Sequence, residues 1–218
     1  MRAAMHFFVL HPVIGGPHET EFEEIDPVLG EAPKCPVCGT FIGMKPWLPP
    51  YRVKIEVHGE TIGDIAFGGV GGNLLVSDAF RRGWSEQQLR GLEEFDSVEI
   101  VRVSPPRLAS ATPAFYHVTV RRGQTAIDLD RSMLDLRRQP TCSHCLGGAL
   151  IHGIHGFAVA ETTWTGEDLF QPVGLPGLIV ATERVRELAD SLALRNLNFT
   201  AVEDFVWEPV GRGVRGVS

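Results

Sequence analysis

The chain has 218 residues, 44% of them hydrophobic and 22% charged, with a formal net charge of −7. That length supports a sizeable core, and the composition excludes a disordered chain. The acidic balance speaks against nucleic-acid binding, which draws on a basic face. No apolar run reaches the about 18 residues of a spanning helix, so no membrane segment is expected.

The start, MRAAMHFFVLHPVIGG, holds only "FFVL" as an apolar run, interrupted by His6, His11 and Pro12. It reads as a strand over Met5 to Val9 rather than an export signal, and a cytoplasmic location follows as an expectation. Next comes an acidic run of Glu19, Glu21, Glu23, Glu24 and Asp26. Such a run is either a solvated loop or a surface that meets a basic partner.

All four cysteines lie in two short hooks, "PKCPVCG" at 33–39 and "PTCSHCLG" at 140–147. A C-x-x-C turn lets two sulfurs reach one metal, with Gly39 free to take the positive φ that closes the turn. Two pairs suit three chemistries: a thioredoxin-like redox pair, disulfides in an oxidising compartment, or one zinc ion held by four thiolates. With no export signal and no strand–helix redox context, a structural zinc on Cys35, Cys38, Cys142 and Cys145 is the favoured reading. The knuckles span 33–43 and 140–148. His144, His152 and His155 lie near the second hook but are left out of the ligand set.

After the first hook, "KPWLPP" is an extended link and "YRVKIEV" alternates as a half-buried strand, with a further strand near Ile62 to Phe67. "FGGVGGN" fits no phosphate-loop pattern and reads as a flexible turn. "LLVS" is a short strand, and Ser77 or Asp78 caps a helix carrying Phe80 and Trp84 at i and i+4. Ser85 and Gln88 form a capping-box pattern that predicts a second helical segment from Ser85. "SVEIVRV" is the next strand. "FYHVTV" and "TAIDLD", joined by "RRGQ", read as a hairpin.

The last third repeats an earlier pattern. "NLLVSDAFRRGWSEQQLRGLEEFDSVEIVRVSP" lies over "GLIVATERVRELADSLALRNLNFTAVEDFVWEP" without a gap at an offset of 104 residues. Leu74 falls on Leu178, Phe95 on Phe199, Val98 on Val202, and Thr182 takes the capping place of Asp78. Val185, Leu188, Ala189, Leu192 and Ala193 form a helical apolar stripe. The hooks repeat at nearly the same offset, 107. The expected architecture is therefore α+β: two similar strand–helix–strand lobes with mainly antiparallel sheet, joined by a zinc-ribbon-like four-cysteine site. The whole chain, 1–218, would form a single compact domain with pseudo-repeat halves of about 30–139 and 140–218.

The two Cys-x-x-Cys hooks, with the segments "LLVSDAFRRGWSEQQLRGLEEFDSVEIVRV" and "GLIVATERVRELADSLALRNLNFTAVEDFVW", resemble the double-CXXCG motif family of Sit-type myxobacterial immunity proteins. "FYHVTV…IDLDRS" also resembles a wider group of bacterial immunity domains. The first resemblance carries Cys35, Cys38 and Gly39 over, and Cys142 and Cys145 with one departure, Leu146 in place of glycine. It implies a cytoplasmic immunity protein, not an enzyme, that binds and neutralises a cognate toxin delivered by kin. A basic nuclease is the kind of toxin that an acidic surface suits, the candidate surface being Glu19 to Asp26 with Glu93, Glu94 and Asp96. Two readings of other classes stand beside it. A zinc-dependent enzyme would use Asp128 and Asp130 as paired carboxylates and His117, His152 or His155 as bases. A zinc-ribbon nucleic-acid binder would need a basic–aromatic cluster that is absent near the hooks.

Overall fold

The computed structural model describes residues 5–68 and 72–208. The glycine-rich turn expected at 67–73 falls partly on 69–71, outside the described residues.

Two mixed sheets dominate. The larger has seven strands in the order β8 (Leu92–Ser97), β10 (Phe115–Val120), β7 (Asn73–Ser77), β6 (Ile65–Gly68), β2 (Thr20–Glu24), β5 (Arg52–Val57) and β9 (Glu99–Ser104). The second has six: β17 (Asn198–Ala201), β1 (Phe7–His11), β16 (Ile179–Thr182), β15 (Leu169–Val173), β11 (Arg122–Asp128) and β14 (Ala158–Val159). Pairing is mostly antiparallel, with parallel ladders at β2–β6, β5–β9 and β11–β15. Two small ribbons carry the cysteine hooks: β3 (Val28–Leu29) with β4 (Trp47–Leu48), and β12 (Leu134–Arg138) with β13 (Leu150–His155), the latter extended by β18 (Val206–Trp207). The fold is α+β, as expected, with two similar strand–helix–strand lobes.

The likeness extends well past those lobes. Read from one edge, β8-β10-β7-β6-β2-β5 matches β17-β1-β16-β15-β11-β14 strand for strand, including the direction of every ladder. The match takes in β1 and β10, which the linear comparison of the sequence did not reach. Each of these opens one repeat in chain order yet lies inside the other repeat's sheet. β1 sits between β16 and β17, and β10 between β7 and β8. The repeats have exchanged their first strands.

Two helices follow the matching strands: α1 (Asp78–Glu86) after β7 and α2 (Glu183–Ser191) after β16. Their buried residues, Phe80 and Trp84 on one, Val185 and Leu188 on the other, enter a core with Leu10, Leu74, Val118, Leu169 and Ala181 drawn from both sheets. The helices meet at Gly83. A Cβ there would lie 2.6 Å from Leu188 Cδ1 and 2.7 Å from Leu192 Cδ1, so a larger residue would push these two leucine side chains aside.

Three sequence expectations are corrected. No second helix begins at Ser85: its hydroxyl donates back to Arg81 O at 3.0 Å, and the chain leaves the helix through Gln88 at φ +52°. Strands 115–120 and 122–128 form no hairpin, because β10 pairs with β7 and β8 while β11 turns into the other sheet. The gapless offset slips by one residue from β7 and β16 through the helices, so Leu74 is equivalent to Ile179 and not to Leu178. Ser77, not Asp78, is the cap equivalent to Thr182. The offset returns to 104 at Phe95 and Phe199, after Glu94 at φ +33° beside a bulge in the β8–β10 ladder.

Candidate metal centre

Each hook is the tip of a short antiparallel ribbon. Cys35 and Cys38 lie between β3 and β4, and Cys142 and Cys145 between β12 and β13. Both tips turn by the same backbone bond. Gly39 N donates to Cys35 O at 2.9 Å, and Leu146 N to Cys142 O at 2.9 Å. Gly39 has φ +72° and Leu146 φ +52°, so the leucine at the glycine place of the second hook keeps the turn at some backbone strain. Its side chain is recovered by packing near Gly174.

The two tips converge. Cys38 Sγ and Cys145 Sγ are 3.7 Å apart, and all four sulfurs lie within 4.8 Å of one another. Cys35, Cys142 and Cys145 are buried with Ile42 packed on them, while Cys38 faces solvent. All four are free thiols. The environments are unequal. Hydrogen bonds from the Thr40 hydroxyl and backbone pull the Cys38 thiol well below its usual range, and burial pushes the Cys145 thiol up. Gly147 N donates to Cys145 Sγ at 3.3 Å, which acts against that upward shift.

The donor set fits a divalent soft cation. A tetrahedron of sulfurs about 2.3 Å from a central ion has edges of about 3.8 Å, close to the Cys38–Cys145 separation. Four thiolates fill such a site, leaving no open position for water or substrate.

The other candidate groups are not gathered. Asp128 Oδ1 accepts from the N–H groups of Asp130 and Arg131 at 3.1 Å each, so it holds a turn. His117 is buried in the seven-stranded sheet, stacked 4.1 Å from the Tyr51 ring, with Nε2 3.2 Å from Asn73 Oδ1. Burial depresses its pKa to about 4, so it is neutral at pH 7. His152 and His155 lie on β13, with His155 3.6 Å from Glu208. His144 alone reaches the hooks, lining with Cys145 a cleft of about 480 Å³.

The acidic run is largely engaged on its own sheet. Glu21 meets His58, Glu23 meets Lys54, and Asp26 meets Arg52. Glu93 pairs with Arg121 on the far edge, where Glu94 and Asp96 also lie, with β10, β7 and β6 between the two acidic groups. Glu21, Glu56 and His58 also fall within 4.8 Å of one another, but Lys54 already sits on Glu56.

Sequence reasoning missed Arg122, which stands beside the sulfurs, and the aspartates that tie the repeats together. No spacing signal marks either. Among the described residues no helix is long and apolar enough to cross a membrane. No family model matches the chain, and no curated protein matches it.

Proposed function

We propose that Cys35, Cys38, Cys142 and Cys145 hold one structural zinc ion, and that the body so clamped is a cytoplasmic immunity protein that binds and neutralises a cognate toxin. The convergence of four sulfurs from two distant hooks carries the zinc reading. Ligand chemistry supports zinc: thiolate-only tetrahedral sites suit it, and a saturated shell fits a structural ion. The immunity reading rests on the resemblance of the hooks and the two long segments to the double-CXXCG family. A centre without an open position is consistent with a protein that offers a surface.

Elemental analysis of purified protein should give about one zinc per chain. A cross-link closing about a hundred residues removes on the order of 4–5 kcal/mol of unfolded-state entropy in the chain-entropy model. Chelation should therefore lower Tm by on the order of 10 °C or more. Metal-free protein that melts where the native protein does would refute the structural role. The binding role has its own test. Co-expression with the toxin encoded by the adjacent gene should rescue growth, and the two should co-purify. Survival that is equal with and without this chain would end the immunity reading.

One observation favours a second reading, a zinc-dependent enzyme: His144 shares the 480 Å³ cleft with Cys145, Thr163 and Thr165. An imidazole there could replace one thiolate and open the shell. The enzyme reading requires a turnover that His144→Ala abolishes while zinc content is unchanged.

A further inference from the structure

A divalent cation on four thiolates carries a net charge of −2, and charge buried in a protein is costly unless it is compensated. The described residues place one cation where it could serve. Arg122 opens β11, opposite Gln171 in the parallel ladder with β15. Its Nη1 is buried and has no hydrogen-bond partner among the described residues. Gly43 of the first knuckle lies alongside it, close enough that a Cβ there would be in ordinary contact with Nη1 at 3.7 Å. Three clefts, of about 330, 480 and 590 Å³, meet at Arg122, and the two larger ones are also lined by Cys145. Among the described residues no carboxylate pairs with it. A half-buried guanidinium with one buried, unpartnered nitrogen suits a site whose negative charge lies in the sulfurs beside it.

We propose that Arg122 is the counter-charge of the tetrathiolate, a positioning residue outside the ligand shell that holds the four sulfurs ionised around the metal. This rests on the zinc reading above. The compensation is mutual: the metal centre supplies the anion that Arg122 lacks, and Arg122 lowers the cost of collecting four thiolates on a largely buried spot. Its place at the start of β11 also explains why the centre lies against the second sheet, although both hooks sit on separate ribbons.

The test uses the full chain, metal-free and reduced, titrated with Co²⁺ and then with Zn²⁺ in competition, with release to a chelator followed in time. Wild type should bind one equivalent. Arg122→Met should bind about tenfold more weakly or worse and release zinc correspondingly faster, while Arg122→Lys stays within about threefold of wild type. Equal affinity for wild type and Arg122→Met overturns the proposal. So does an Arg122→Lys variant as weak as Arg122→Met, because shape and not charge would then matter. A second pair leaves Arg122 in place and decides the matter if Arg122→Met does not fold. Gly43→Asp sets a carboxylate beside Nη1 and should weaken binding about tenfold, while Gly43→Asn should not; equal binding by these two also overturns it. A wild type that binds no metal sinks the zinc reading itself, whereas a metal-binding wild type indifferent to these changes sinks only the role of Arg122.

Discussion

Two aspartates do the same work at equivalent points of the two repeats. Asp168 accepts from Arg90 N at 2.9 Å, from the Thr182 hydroxyl at 3.1 Å and from the Arg184 guanidinium at 3.0 Å. Asp64 accepts from Arg195 N at 3.0 Å, from the Ser77 hydroxyl at 3.1 Å and from Arg195 Nε at 3.0 Å. In each case the backbone donor comes from the other repeat's helix-to-strand loop, and the hydroxyl belongs to the residue at the N-cap position of the following helix. The aspartates thus lock loop, cap and strand across the junction. They differ in burial: the Asp168 side chain is 3% exposed and that of Asp64 14%. Removing a carboxylate strands its donors, at about 1–3 kcal/mol for each one left buried. Arg184 is 51% exposed and can return to water, so it adds little. Asp168→Ala should therefore cost about 3 kcal/mol, Asp64→Ala about 1–2 kcal/mol, and Asp168→Asn less than Asp168→Ala. Urea unfolding of metal-saturated protein measures all three. A cost below about 1 kcal/mol for Asp168→Ala would show that the junction is held elsewhere.

At the scale of elements, legibility followed the range of the interaction. Strand β5 was readable because its alternation, Val53, Ile55 and Val57 against Arg52, Lys54 and Glu56, is a local consequence of one buried face. The hooks were readable because C-x-x-C is a local turn, and the convergence of two such pairs matches the four ligands that a tetrahedral site takes. The failures have local causes too. Ser85 and Gln88 imitate a helix start, but the serine hydroxyl is taken up by Arg81 O at the helix's last turn. The turn residues "RRGQ" imitate a hairpin, yet nothing in four residues records that the preceding strand is already paired on both sides. Thr182 shows the limit of cap assignment. It occupies the N-cap position, but its hydroxyl goes to Asp168, so the residue type was legible and its bond was not. Arg122 was invisible for a similar reason, because its partners are brought to it by two distant ribbons.

At the scale of the whole molecule, the repeat was visible as a pattern and its exchange was not, because pattern records which residues are apolar and not which sheet receives them. The exchange has a mechanical consequence. Leu10 of β1 and Val118 of β10 enter the same core as both helices, and each strand lies one place in from the edge of a sheet built otherwise by the opposite repeat. A repeat on its own would keep its helix but lose the strand that joins its last strand to the sheet. That would leave β8 or β17 without a partner, β7 or β16 with one open edge, and a core open to water, a loss that a short chain with a thin margin cannot absorb. The four-cysteine site divides in the same way, two sulfurs to each part. Fragments 1–112 and 113–218, cut in the exposed connection before β10, should therefore show no cooperative unfolding transition when expressed alone. Mixed in equal amounts, they should form a 1:1 complex with the far-UV spectrum of the intact chain, and zinc should tighten it because the ion binds only the joined form. If either fragment melts cooperatively by itself, the exchanged strands are ornaments on two independent bodies. If the mixture assembles equally well without metal, the interlocked strands hold the parts together and the cysteine centre only trims their fit.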